Sequence, residues 1–144
     1  MSDRTDEQGR TAPARLIVVD DEVHIVHVLA LKLRNAGYDV RTAADGEEGC
    51  EMATQDPPDL IITDLQMPFL SGLEMCARLK KNQPTATIPV IMLTARGHAL
   101  SQSDLNSTNI RLVLSKPFSP RQVLEEVERI LGRASPGTTV KEAA

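Results

Sequence analysis

The sequence predicts an α/β fold: a doubly wound, five-stranded parallel sheet in strand order 2-1-3-4-5. Three observations lead there. Short runs rich in Ile, Leu and Val alternate along the chain with segments of helical periodicity. The runs Leu16–Val19, Leu60–Ile62, Val90–Leu93 and Leu112–Leu114 are continuously apolar rather than alternating, as strands covered on both faces are. Right-handed crossovers between parallel strands leave few topologies, of which 2-1-3-4-5 suits five strands best.

Each element has its own reason. Strand one, about 15–20, is apolar throughout. Helix one, about 22–36, sets Ile25, Val28, Leu29, Leu33 and Ala36 on one stripe, and Gly37 is placed to stop it. Strand two is Tyr38 to Thr42. Asp45-Gly46-Glu47-Glu48 has the spacing of a capping box and opens helix two, about 46–55, which Pro57-Pro58 ends. Strand three is about 59–63 and helix three about 71–81; Pro89 leads into strand four, which runs to Leu93. Residues 97–110 offer few apolar anchors, and their Ser, Asp, Asn and Thr compete with helix formation, so a fourth helix there is short or mobile. Strand five, 111–115, follows. Ser119 caps the last helix, with Pro120 at its first position, Gln122 completing the box, and Val123, Leu124, Val127, Ile130 and Leu131 as its buried stripe. Residues 1–14 and 133–144 lack periodicity and are expected to be a disordered N-terminal segment and a flexible tail around one domain, 15–132.

Composition narrows the function. The chain has 144 residues, enough for one domain with a full core. Aromatics are confined to Tyr38, Phe69 and Phe118, so the core is aliphatic. Sixteen basic against 20 acidic residues, without a basic cluster, argue against nucleic-acid binding. No run is long enough to span a bilayer and no signal peptide is visible, which points to a cytoplasmic protein. Cys50 and Cys76 have no C-x-x-C spacing and read as reduced thiols, with a redox switch as the remote alternative. His24, His27 and His98 read as surface side chains, and Met67, Met75 and Met92 as packing.

The informative residues sit at strand ends. Asp20-Asp21 follow strand one, Asp64 follows Leu60-Ile61-Ile62-Thr63, Thr94 follows strand four and Lys116-Pro117 follow strand five. Taken singly, an Asp or Thr there reads as a turn former or helix cap, and Lys116 as a solvated charge. Jointly they are the parts of a site that binds a divalent cation and accepts a phosphoryl group. In such sheets ligands sit beyond the carboxyl ends of the strands where the order reverses, here between strands one and three. Three carboxylates converging on one crevice repel one another, and a hard cation removes the conflict.

Asp64-Leu-Gln-Met67-Pro68-Phe-Leu-Ser-Gly72, Lys116-Pro117-Phe118, Val-Val-Asp-Asp-Glu at 18–22 and Pro-Asp-Leu-Ile-Ile-Thr-Asp at 58–64 together resemble the receiver domain of two-component response regulators (the CheY-like family, with a flavodoxin-like fold), from about Arg15 to Gly132. The resemblance implies a phosphoprotein with Asp64 as phosphoryl acceptor, Thr94 donating its hydroxyl to a phosphoryl oxygen and Lys116 neutralising charge. It implies Mg²⁺ (or Mn²⁺) bound by Asp21 and Asp64, by Asp20 through water and by the backbone carbonyl of Gln66. It implies a sensor histidine kinase or histidine phosphotransfer protein as partner, a monomer or weak homodimer, and a cis bond before Pro117. It does not imply an enzyme turning over external substrates: phosphohydrolases with a nucleophilic Asp often carry a second Asp two residues on, where this chain has Gln66.

The chain departs from the family at Val113, where most receivers carry the Tyr or Phe that reports phosphorylation by turning inward. Output is then expected to run through the loop and weak helix at 95–110. In receivers the positions of Gln66 and Arg96 influence how fast water removes the phosphoryl group, and by that resemblance Arg96 is expected to shield it. The reading is a stand-alone receiver acting as a phosphorylation-driven switch. The alternatives are the receiver portion of a larger regulator, or a binding module that works without phosphorylation. Nothing after about residue 132 resembles a helix-turn-helix.

Overall fold

The computed structural model describes residues 12–95 and 100–132. Most of the N-terminal segment, the C-terminal tail, Arg96 and His98 lie outside the described residues. The elements are β1 (Arg15–Val19), α1 (Val23–Asn35), β2 (Asp39–Ala43), α2 (Gly46–Gln55), β3 (Leu60–Asp64), α3 (Gly72–Lys80), a 3₁₀ turn (Gln83–Thr85), β4 (Val90–Thr94), α4 (Gln102–Asn106), β5 (Ile110–Ser115) and α5 (Pro120–Leu131). All strand pairs are parallel and the order is β2-β1-β3-β4-β5, as the sequence predicts. Boundaries differ from expectation by a residue or two, the usual fraying of element ends.

The period-2 geometry of the central strands splits the core into two layers. Leu16, Val18, Leu60, Ile62, Ile91 and Leu93 face α1 and α5, meeting Leu29, Leu33, Val123 and Val127. Ile17, Val19, Ile61, Val90 and Met92 face α2 and α3, meeting Ala53, Met75, Cys76 and Leu79. β3 and β4 are buried at every position, whereas the edge strands β2 and β5 are partly open. Each fully buried Leu or Ile contributes roughly 1.5–3 kcal/mol, so the three inner strands dominate the core.

Helix ends follow the sequence with some corrections. Gly37 takes φ 101 and closes α1, a backbone region that penalises any side chain. Asp45 caps α2 by accepting from Glu48 N at 2.8 Å, but the Glu48 side chain accepts from Ala44 N rather than from the cap residue. Ser119 accepts from Gln122 N at 3.0 Å; a return bond from Gln122 is absent among the described residues. Two complete boxes, Ser71 with Glu74 and Ser101 with Asp104, were not anticipated. The stripe of α1 follows the expected one at Ile25, Leu29, Leu33 and Ala36 but departs from it at Val28. Leu29, Ala30 and Leu33 are buried, while Val28 is 44% exposed because it faces the open apolar cleft between α1 and the turn Pro117–Pro120. The fourth helix is short, five residues with none buried.

Candidate functional site

β1 and β3 lie side by side at the point where strand order reverses, and their carboxyl ends bring three carboxylates together. One oxygen from each of Asp20, Asp21 and Asp64 lies within 4.8 Å of the others. Asp20 is buried at the end of β1, where its N–H donates to Ala43 O and its Oδ1 accepts from Glu22 N at 2.9 Å. That turn aims Asp20 inward and leaves Asp21 exposed at the mouth. Asp64 is the last residue of β3 and is buried.

The loop after Asp64 is pinned to it. Gly72 N donates to Leu65 O at 2.9 Å, and a Cβ on Gly72 would sit 2.2 Å from the carbonyl oxygen of Asp64. Only glycine lets α3 start so close to the strand end. Gln66 is exposed in this loop. Met67 and Leu70 are buried and anchor the loop on the α2–α3 layer, whereas Phe69 takes φ 71 and is fully exposed.

Lys116 reaches the cluster from the end of β5, its backbone N–H held by Thr94 O at 2.8 Å. The bond Lys116–Pro117 is cis. The ammonium lies 3.2 Å from Asp64 Oδ1, 3.1 Å from Glu22 Oε1 and 3.9 Å from Asp20 Oδ2. Thr94 ends β4 and is buried; its hydroxyl donates to Ala95 O at 3.3 Å rather than to the cluster. Glu22 escaped the sequence reading. Its place directly after Asp20-Asp21 was the available signal, but nothing local foretells a partner 94 residues away.

The electrostatics are those of excess buried negative charge. Burial pushes the Asp20 carboxyl up to about 6; the Glu22 N–H opposes this and the Asp64 charge reinforces it. Burial likewise raises Asp64 above the usual carboxylate range, although hydrogen bonding and charge from Lys116 pull it back. For Lys116, burial disfavours the ammonium, but its bonds to Glu22 and Asp64 outweigh that and hold its pKa above normal.

Asp20 Oδ2 is a buried acceptor without a hydrogen-bond partner among the described residues. A carboxylate oxygen left so is costly. An all-oxygen cluster with such an orphan fits a hard divalent cation, Mg²⁺ or Mn²⁺, better than a softer metal.

The remaining candidates fall as the sequence suggested. His24 and His27 are exposed, and Met67, Met75 and Met92 are buried. Cys50 and Cys76 are buried free thiols; burial pushes the Cys76 thiol up to about 12, which keeps it protonated and unreactive. Val113 is partly buried and packs on the α2–α3 layer, as do Leu100 and Leu105 around α4. Among the described residues no helix is long and apolar enough to cross a membrane.

A doubly wound sheet with an acidic crevice at its switch point and a lysine reaching across defines a class of signalling domain, and comparison with known proteins agrees. The chain belongs to the response regulator receiver domain family, whose model matches residues 16–128. It is 39% identical over 130 residues to the alkaline phosphatase synthesis transcriptional regulatory protein PhoP of Bacillus subtilis, covering 88% of this chain and 53% of that protein. It is 34% identical over 122 residues to the phosphate regulon transcriptional regulatory protein PhoB of Pseudomonas aeruginosa, covering 85% and 53%. The chain thus spans about half the length of these curated relatives. Among solved structures, the chemotaxis response regulator CheY4 of Vibrio cholerae superposes with a TM-score of 0.76 at 30% identity, over 83% of this chain and 99% of that one. The receiver domain of the sensor histidine kinase PA1611 of Pseudomonas aeruginosa, described with a magnesium ion coordinated in its active-site cleft, gives a TM-score of 0.74 at 25% identity, over 84% and 99%.

Proposed function

We propose that the chain is a phosphorylation-driven switch in which Asp64 accepts a phosphoryl group from a histidine of a sensor kinase or phosphotransfer protein. The observation that carries this reading is the Lys116 ammonium 3.2 Å from Asp64 Oδ1, beside a second buried carboxylate, Asp20, with an orphaned oxygen. A nucleophilic carboxylate needs in-line positioning and neutralised phosphoryl oxygens more than acid–base help. β3 and the glycine-pinned loop fix Asp64 in place. Its carboxylate attacks phosphorus, forming an O–P bond as the N–P bond to the donor imidazole breaks, and the imidazole leaves with that electron pair. Lys116 neutralises one phosphoryl oxygen, and Thr94 gives up its bond to Ala95 to donate to another.

Asp21 and Asp64, Asp20 through water, and the Gln66 carbonyl would hold Mg²⁺ or Mn²⁺. When bound, the cation supplies positive charge against the phosphoryl oxygens and relieves repulsion among the carboxylates. The chain is not an enzyme for external substrates, since Gln66 offers no acid at the position where phosphohydrolases need one. The receiver unit itself works in the cytoplasm through protein partners, touching neither nucleic acid nor membrane, as a monomer or weak homodimer. The reading holds equally for a stand-alone receiver and for the receiver portion of a longer regulator.

The test is incubation with Mg²⁺ and acetyl phosphate, read by intact mass under mild acid. One phosphoryl adduct is expected on the wild type, lost in Asp64→Asn and lost without divalent cation. No adduct under conditions that label an ordinary receiver would replace this reading with a phosphorylation-independent binding module.

A further inference from the structure

We propose that Glu22 is a positioning residue for Lys116, holding its ammonium in the resting state and releasing it when a phosphoryl group arrives on Asp64. The inference deepens the receiver reading and rests on it.

Glu22 stands at the N-cap of α1, with extended backbone, yet its side chain makes no cap hydrogen bond. Ser, Thr, Asp or Asn at that position turns back onto its own helix, whereas the longer glutamate is free to reach elsewhere. Glu22 instead reaches across the mouth of the site to Lys116 Nζ at 3.1 Å. Its backbone is fixed by the site itself, because Glu22 N donates to Asp20 Oδ1. The half-exposed Glu22 carboxylate stands apart from the three that converge, so its partner is the lysine rather than a metal.

An ammonium has three donors on a flexible stem. In the resting protein two carboxylate oxygens lie at hydrogen-bond range, those of Glu22 and Asp64, and Asp20 lies further off at 3.9 Å. A phosphoryl group on Asp64 brings strong anionic acceptors to the same ammonium. Glu22 and the phosphoryl oxygens then compete for Lys116, and Glu22, reaching from the exposed side, is the partner that lets go. The pair is a resting-state contact, so its removal favours phosphorylation. A half-exposed ion pair of this kind sets the scale of the gain at about two- to fivefold.

The side-chain ammonium of Lys116, assigned with Lys116→Arg, reports the contact by nitrogen-15 NMR in wild type, Glu22→Gln and Glu22→Asp. Both variants are expected to move this signal in the metal-free resting protein. Both are expected to leave it at the wild-type position once Mg²⁺ and beryllofluoride, an unreactive phosphoryl mimic, are bound. Both are expected to raise the initial rate of labelling by acetyl phosphate about two- to fivefold. Glu22→Asp keeps the charge but loses one methylene of reach, so its agreement with Glu22→Gln separates the contact from general repulsion of an anionic donor. An unmoved resting signal overturns the proposal, as does faster labelling in Glu22→Gln with wild-type labelling in Glu22→Asp. The resting signal is read without phosphorylation. A wild type that forms no adduct therefore overturns the receiver reading, while the NMR result still decides whether Glu22 holds Lys116.

Discussion

Asp20 concentrates the tension of the site in one side chain. Its carboxyl is buried, its Oδ2 lacks a donor among the described residues, and its pKa is raised from 3.8 to about 6. A carboxyl whose folded pKa lies above its unfolded value contributes its full stability below the unfolded value and loses it as pH rises through the folded one. In metal-free protein this contribution is therefore complete near pH 3.8 and gone above about 6. Asp20→Asn removes the titration and keeps the size. It is expected to be more stable than wild type at pH 7 by about 3 kcal/mol, with the gap closing towards pH 4. Urea unfolding in EDTA at both pH values measures this, and a variant no more stable at pH 7 would refute it. Gly72 makes the opposite case. With a Cβ only 2.2 Å from the Asp64 carbonyl oxygen, Gly72→Ala forces the loop off the strand end. The expected cost is about 2–3 kcal/mol, with slower labelling of Asp64 because its backbone moves. Labelling at the wild-type rate would show that the loop does not position the acceptor.

At the scale of elements, the sequence discloses most where one local rule acts alone. Ser119 before Pro120 reads as a cap and is one, so Ser119→Ala should lower stability by about 1 kcal/mol, measured as a shift in urea midpoint. The inner strands β1, β3 and β4 were legible because residues covered on both faces need no alternation. The stripe of α1 was legible except at Val28, since the 3.6 period cannot foresee that a neighbouring turn leaves a cleft open there. The gathering of Asp64, Lys116 and the pair Asp20-Asp21 was legible because each ends a strand and topology brings strand ends together. Glu22 was not, because its partner lies 94 residues away and no local pattern points to it. α4 is the element with the least to hold it: no residue of it is buried, and Leu100 and Leu105, like Val113, are only partly buried against the α2–α3 layer. Valine offers no ring to turn inward, so the response to phosphorylation is expected in this segment. Amide hydrogen exchange with and without beryllofluoride should change across 100–110 and remain constant in β1 and β3. Unchanged exchange over 100–110 would place the output elsewhere.

For the molecule as a whole, the acidic crevice means that the sheet is held together against its own charge. Asp20, Asp64 and Glu22 meet a single ammonium, Asp21 adds a third carboxylate to the cluster beside Asp20 and Asp64, and burial raises the carboxyl pKa values of Asp20 and Asp64 despite the lysine. A ligand that binds the folded state alone adds RT ln(1 + [L]/Kd) to global stability. If Mg²⁺ occupies the crevice, unfolding free energy should rise by about 1.4 kcal/mol per tenfold increase in Mg²⁺ once its concentration exceeds Kd. NaCl at matched ionic strength screens exposed charges but cannot enter the coordination of a buried oxygen, so it should reproduce little of the rise. Asp21→Asn and Asp20→Asn should each flatten the Mg²⁺ dependence, the second while starting from a higher metal-free stability. Equal responses to Mg²⁺ and NaCl, or an undiminished Mg²⁺ response in both variants, would show that the cation acts on surface charge. The orphaned oxygen of Asp20 would then be a cost to the fold that no cation in the crevice relieves.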